Sequence, residues 1–141
     1  MKINAEKGME MFLLFMQKMN RWETEYYNLL SPVLEAGEET NDIDEKYKNR
    51  LRNILDEFVA DDPKNKQRLI SMNCSQPPAY DPEMDAVMVE SAGRSRMVIS
   101  QQQRTGLKST YRFTLVNTEH GIRIAKKERL NYKGRWERAG I

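Results

Sequence analysis

Residues 111–136 have the sequence Tyr111-Arg-Phe-Thr-Leu-Val-Asn-Thr-Glu-His-Gly-Ile-Arg-Ile-Ala-Lys-Lys-Glu-Arg-Leu-Asn-Tyr-Lys-Gly-Arg-Trp136. Apolar and polar side chains alternate on both sides of a turn at 117–121, and a second turn at Lys133-Gly134 leads into a short closing strand. Alternation buries one face of each strand and exposes the other, which predicts a curved, one-sided antiparallel sheet. Helical patterns precede this stretch, so the order favours an α+β fold with N-terminal helices packed in the concave face of the sheet.

Three helices are predicted in the N-terminal half. Residues 4–30 carry one apolar stripe at spacings of three and four, and Pro32 is expected to end that helix because the residue before a proline avoids the α region. Asp42, with Glu45 three positions later, has the spacing of a capping box at the start of a second helix. Asp62-Pro63 predicts the N-cap and first residue of a short third helix.

Five strands are expected in the C-terminal half, with glycines at the turns between them. They are predicted at 86–91, 95–103, 108–117, 121–131 and 135–139. A loop containing three prolines, 73–85, joins the helical half (about 1–70) to the sheet half (about 86–141). Neither half could bury its apolar face alone, so residues 1–141 are expected to form a single domain.

Charge is distributed unevenly along the chain. Residues 1–62 contain 8 Lys/Arg and 14 Asp/Glu, a net charge of −6, whereas residues 63–141 contain the remaining 15 and 7, a net charge of +8. One acidic and one basic surface are therefore expected, and either could meet a partner. The acidic residues between the first two helices are Glu35, Glu38, Glu39, Asp42, Asp44 and Glu45. Helix capping accounts for the last three of these better than for the first three.

Several classes of function lack the residues they need. Cys74 is the only cysteine, which excludes an intrachain disulfide and a cysteine-based zinc site and favours a reducing, cytoplasmic location. His120 is the only histidine and lies in a predicted exposed turn, which argues against a serine or cysteine triad. The sequence has no phosphate-binding glycine loop, nucleophile elbow or zinc-protease helix, so no cofactor or metal is expected. No apolar run approaches the roughly 20 residues that cross a membrane.

Two alternative functions would use other residues. Glu90 lies in a predicted strand, and if it points inward its pKa would rise and it could act as an acid or base. Glu90 and Tyr111 are therefore the candidates for an interior pocket. The basic strands interleave cations with aromatic residues, as a nucleic-acid surface would. Strand alternation, however, places Tyr111 and Phe113 on the face opposite Arg112, where they suit a core better than a stacking surface.

Five short segments between residues 80 and 139 form a pattern shared with a known family. They are Tyr80-Asp-Pro-Glu83, Tyr111-Arg-Phe-Thr-Leu115, Gly121-Ile-Arg-Ile124, Glu128-Arg-Leu-Asn131 and Gly134-Arg-Trp-Glu-Arg-Ala139. The chain resembles the nuclear transport factor 2-like fold, a cone in which a curved sheet wraps around helices. Within that fold it resembles the bacterial immunity proteins, which protect cells from their own polymorphic toxins. The resemblance implies stoichiometric occlusion of a cognate toxin domain, without turnover.

We therefore expect a cytoplasmic immunity protein whose acidic stretch, residues 35–45, docks a cation-rich toxin. The first alternative is a small-molecule binder, hydrolase or isomerase that uses the interior of the cone. Nucleic-acid binding by the basic strands is the second alternative and the less favoured. The sequence leaves open whether sheet edges pair to form a homodimer.

Overall fold

The computed structural model describes residues 2–74 and 76–141, which form three helices and one five-stranded antiparallel sheet. The helices are α1 (Ala5–Glu35), α2 (Asn41–Phe58) and a 3₁₀ helix (Pro63–Leu69). The strands are β1 (Ala86–Ala92), β2 (Arg96–Gln102), β3 (Thr110–Thr118), β4 (Gly121–Leu130) and β5 (Trp136–Ala139). The predicted α+β class, with helices first and a meander of strands afterwards, is confirmed.

The first helix is longer than predicted because Pro32 does not end it. The amide of Ala36 donates to the carbonyl of Pro32 and the amide of Glu38 to that of Val33, each at 3.0 Å, so hydrogen bonding continues past the proline. The proline removes only its own N–H. Just before it, the Ser31 hydroxyl donates to the carbonyl of Tyr27 at 2.9 Å, which holds this residue within the helix. The predicted helix end at Ser31-Pro32 is therefore wrong.

The start of α2 also differs from the prediction, because Thr40 and not Asp42 is the N-cap. The amide of Asp44 donates to the carbonyl of Thr40 at 2.8 Å, so the helix begins two residues earlier than predicted. The Thr40 hydroxyl also donates to Oδ2 of Asp44 at 2.8 Å. The predicted cap of the third helix is confirmed: the Asp62 side chain accepts from the amide of Lys64 at 2.9 Å.

Each strand pairs with the next along the chain, in the order β1-β2-β3-β4-β5. Two bulges interrupt the pairing. In β1, Val89 pairs with Ile99 and Ser91 with Val98, which leaves Glu90 as the extra residue. In β4 the extra residue is Ala125. Bulges bend a strand and increase its twist, and here they help the sheet to curve around α1.

The core lies between α1 and the concave face of the sheet. The ring centroid of Phe12 is 4.6 Å from that of Phe113 in β3, and the ring centroid of Phe15 is 5.2 Å from that of Tyr80. All four side chains are fully buried. The amide of Ala60, just after α2, donates to the carbonyl of Ile124 at 2.8 Å, which ties the helical hairpin to β4.

At Gly8, α1 approaches the sheet most tightly. A Cβ atom on Gly8 would lie 2.1 Å from Sδ and 3.0 Å from Cε of Met97 in β2. Met97 is fully buried, so its side chain has little room to move away. The absence of a side chain at residue 8 therefore sets how closely α1 can lie against β2.

Substitution Gly8→Ala is expected to lower the free energy of unfolding by up to about 2 kcal/mol, because an overpacking cost of about 1–3 kcal/mol outweighs a gain in helix propensity of about 1 kcal/mol. Urea denaturation measures the difference. Gly140→Ala is the control, since a Cβ there meets nothing within 4 Å and should change stability little. A Gly8→Ala protein more stable than the wild type would show that Met97 moves aside freely.

Candidate functional site

The six acidic residues that the sequence singles out lie together around the connection between α1 and α2. We name this surface the acidic end, and it consists of Glu35, Glu38, Glu39, Asp42, Asp44 and Glu45. The chain reverses direction here with the help of Gly37, whose φ of +70° suits glycine. Every member except Asp44 is exposed.

Asp44 has a structural role within the acidic end. Its carboxylate accepts hydrogen bonds from the hydroxyls of Tyr26 in α1 and Thr40 before α2. Burial, and then this contact with Asp44, raise the pKa of the Tyr26 hydroxyl well above its usual value. These hydrogen bonds hold α1 and α2 together beside the turn, so the exposed carboxylates lie on a rigid part of the backbone.

The five exposed carboxylates of the acidic end are not neutralised locally. Among residues 2–74 and 76–141, none of them has a Lys or Arg nitrogen within 4.0 Å, whereas nearby Glu25 pairs with Arg50 at 3.0 Å. Leu29 and Leu34 at the end of α1 are 48% and 58% exposed. The acidic end thus combines uncompensated negative charge with exposed leucines, and its negative potential would attract a cationic surface.

The structure does not bring the two candidates for an interior pocket together. Glu90 is exposed, so the condition for an acid or base in the interior is not met. Its direction follows the alternation of β1, in which Met88 is also exposed while Val87 and Val89 pack against the core. Tyr111 is half-buried on the inner face of β3. Phe12, Phe15 and the other buried rings fill the space between α1 and the sheet, so the interior is packed.

A buried lysine contacts several of those rings. Lys127 in β4 is 4% exposed, and its Nζ lies 4.2 Å from the ring centroid of Tyr111 and 4.7 Å from that of Tyr80. The ammonium group also donates to the Tyr80 hydroxyl at 3.1 Å, which in turn donates to the carbonyl oxygen of Ile141 at 2.9 Å. Burial, and next the positive charge of Arg68, lower the pKa of Lys127 to about 7.

A second buried charge, Glu23, ties the helices to the loop before β1. The Glu23 carboxylate pairs with the guanidinium of Arg68 and accepts from the amide of Ala79 at 2.9 Å. Arg68 also donates to the carbonyl of Asn73 at 2.9 Å and lies 5.1 Å from the Trp22 ring centroid. All of the partners are parts of the scaffold, which gives the pair a structural role.

The burial of Glu23 and of Lys127 was not predicted from the sequence. Glu23 lies between Met19 and Tyr26, at helical spacing on the apolar stripe of α1, so its burial could have been predicted. Lys127 could not, because strict alternation from Ile124 points residue 126 inward, and the bulge at Ala125 shifts the pattern by one residue.

Neither His120 nor Cys74 is suited to nucleophilic chemistry. His120 is exposed in the turn between β3 and β4, as expected. Cys74 is half-buried, and this burial raises the pKa of its thiol to about 11, so little thiolate exists at neutral pH.

Two arginines of the basic strands, Arg112 and Arg129, have acidic partners on the sheet. Arg112 pairs with Glu128 at 2.9 Å, which holds the pKa of that carboxyl below its usual value, and it also lies 4.4 Å from the Trp136 ring centroid. Arg129 pairs with Glu137 at 3.1 Å. Nucleic-acid binding that used Arg112 and Arg129 would have to break these contacts.

Comparison with known proteins identifies the family. A family model described as NTF2 fold immunity protein matches residues 7–140. The chain belongs to this family. It is 32% identical over 133 residues to the Immunity protein RhsIA of Dickeya dadantii (strain 3937), an alignment that spans 94% of this chain and 92% of the relative. No solved structure matches the chain.

Membership of this family confirms the cone fold and the toxin-neutralising immunity function that the resemblance implied. The partner of the protein is accordingly a toxin protein. Neither the interior pocket nor nucleic-acid binding is favoured by these matches. No helix among the described residues combines the length and apolarity needed to cross a membrane.

The burial of Lys127 predicts a pH dependence of stability. Its pKa is about 7 in the folded protein and near 10.5 when exposed, so the unfolded chain binds more protons between these values. Stability is therefore expected to rise with pH from about 7 to 9.5, by at most about 1.4 kcal/mol per pH unit. Comparing urea denaturation of the wild type and Lys127→Met across this range isolates the effect, because Met cannot titrate. If plots of the free energy of unfolding against pH were parallel for the two proteins, the prediction would be contradicted.

Proposed function

We propose that this protein neutralises its toxin as a stoichiometric inhibitor, with the acidic end as the docking surface. The observation that carries the proposal is the set of five exposed carboxylates, next to exposed Leu29 and Leu34, that have no ion-pair partner in the described part of the chain. A pair of leucines can supply the apolar centre of an interface, and the surrounding carboxylates its charged rim.

The charge of the acidic end indicates what the toxin surface is like. Negative potential steers association with a cationic surface and selects against anionic ones. Enzymes that act on polyanionic substrates have cationic sites, and a rigid acidic surface could cover such a site and exclude the substrate. The contact between Tyr26 and Asp44 supports this mechanism, because a surface that is already rigid loses little conformational entropy when the toxin binds.

Occlusion requires no chemistry from the immunity protein itself. We propose that it has no enzymatic activity and uses no cofactor, in keeping with a filled cone interior and a Glu90 that faces solvent. We also place it in the cytoplasm, where its single thiol would stay reduced and where a toxin would meet its target.

Reversal of charge at the acidic end tests the docking surface. The double variant Glu38→Lys, Glu39→Lys is expected to weaken binding of the purified cognate toxin domain by roughly tenfold or more and to flatten the salt dependence of the dissociation constant. Both carboxylates are exposed, so the fold should persist. Isothermal titration calorimetry measures the affinity, and growth of cells that express the toxin measures protection.

The matched control is Glu83→Lys, Glu119→Lys, which makes the same change in net charge at exposed positions outside the acidic end. This control should bind almost as tightly as the wild type. Equal weakening by the two double variants would assign the effect to overall charge. An unchanged affinity of the acidic-end variant would place the interface elsewhere.

A further inference from the structure

At the opposite end of α1 from the acidic end lies a cleft of about 800 Å³. It is bordered by the start of α1, the turn between β1 and β2, and the start of β4. We name it the basic cleft and define it by its four cations, Lys2, Lys7, Arg94 and Arg123. No Asp or Glu is among the residues that line it.

The cations of the basic cleft have no acidic partner. Within residues 2–74 and 76–141, none of the four has a carboxylate oxygen within 4.0 Å, unlike Arg112 and Arg129 on the sheet. The cleft also lies at the N-terminus of α1, where the helix dipole adds positive potential. Its positive field therefore remains available to an anionic partner.

The remaining lining of the basic cleft favours a polypeptide over a nucleic acid. Half-buried Met11 and Ile122 supply apolar surface, and Asn4, Ser95 and Asn117 supply polar groups. None of the lining residues is aromatic, so bases would find no ring on which to stack. A cleft with an apolar floor and a cationic rim is complementary to an acidic segment that carries an exposed aliphatic side chain.

The chain itself contains such a segment. At the acidic end, Leu34 is 58% exposed and is flanked by Glu35, Glu38 and Glu39. The 31 residues of α1 separate the two surfaces by about 46 Å at 1.5 Å per residue, so they cannot meet within one molecule. They can meet between two molecules.

We propose that the basic cleft is a docking site for the acidic end of a second copy of this chain. The contact is heterologous, so it leaves one free acidic end and one free basic cleft in every pair and extends into short chains. We expect the association to be weak and reversible, because it joins one short segment to one open cleft. One consequence rests on the proposed function: a toxin that occupies the acidic end would dissociate these chains.

Neutral variants of each surface allow a decisive experiment. Glu38→Gln, Glu39→Gln removes charge from the acidic end and leaves the basic cleft intact, while Lys7→Gln, Arg94→Gln does the reverse. Each double variant alone is expected to sediment as a single chain in analytical ultracentrifugation at about 0.1 M salt, where wild type forms larger species. An equimolar mixture of the two should form a discrete pair, because only one complementary contact is available. At about 1 M salt the pair should dissociate, since the Debye length falls to about 3 Å.

Three results would overturn the proposal. They are a wild type that stays monomeric at low salt, a double variant that still self-associates alone, and a mixture that forms no pair. Binding of a fluorescent DNA or RNA oligonucleotide to the wild type, lost in Lys7→Gln, Arg94→Gln, would instead assign the cleft to nucleic acid. Titration of the same proteins with the toxin domain separates the two ideas: toxin binding without self-association leaves the proposed function standing and rejects only this inference.

Discussion

The structure depends on the burial of the apolar stripe of α1 in the concave face of the sheet. Rings from the helix, such as Phe12, meet rings from the strands, such as Phe113, at 4.6 Å, and Gly8 lets the helix lie close against β2. These side chains fill the space between α1 and the sheet, which a different packing of the same fold could leave open as a pocket. The two ends of α1 differ in charge, with the acidic end at one and the basic cleft at the other.

Much of the fold could be predicted from the sequence because its signals are local and repeated. The stripe in α1, the alternation after residue 110 and the Asp62-Pro63 cap all have periodicities or spacings that only one kind of element satisfies. The end of α1 was mispredicted because the preference against helix before Pro32 is weak. The Ser31 hydroxyl and the hydrogen bonds of the last turn outweigh it.

The candidate site could be predicted only from its density of charge, which indicates an acidic surface but no contacts within it. Six acidic residues close together in sequence stay close together in space, since a helical hairpin turns at Gly37. Their division into a half-buried, hydrogen-bonded Asp44 and five exposed carboxylates depends on contacts with α1 that no local pattern encodes. The same limit applies to Lys127, whose orientation is set by the bulge in β4.

Amide hydrogen exchange of the immunity protein, with and without its toxin domain, tests most directly whether binding occurs at the acidic end. The measurement should be made at low protein concentration, where self-association is negligible. The account predicts slower exchange for amides between Leu34 and Glu45 when the toxin is added, and unchanged exchange in β1 and β2. Protection confined to the sheet or to the basic cleft, with the acidic end unchanged, would contradict it.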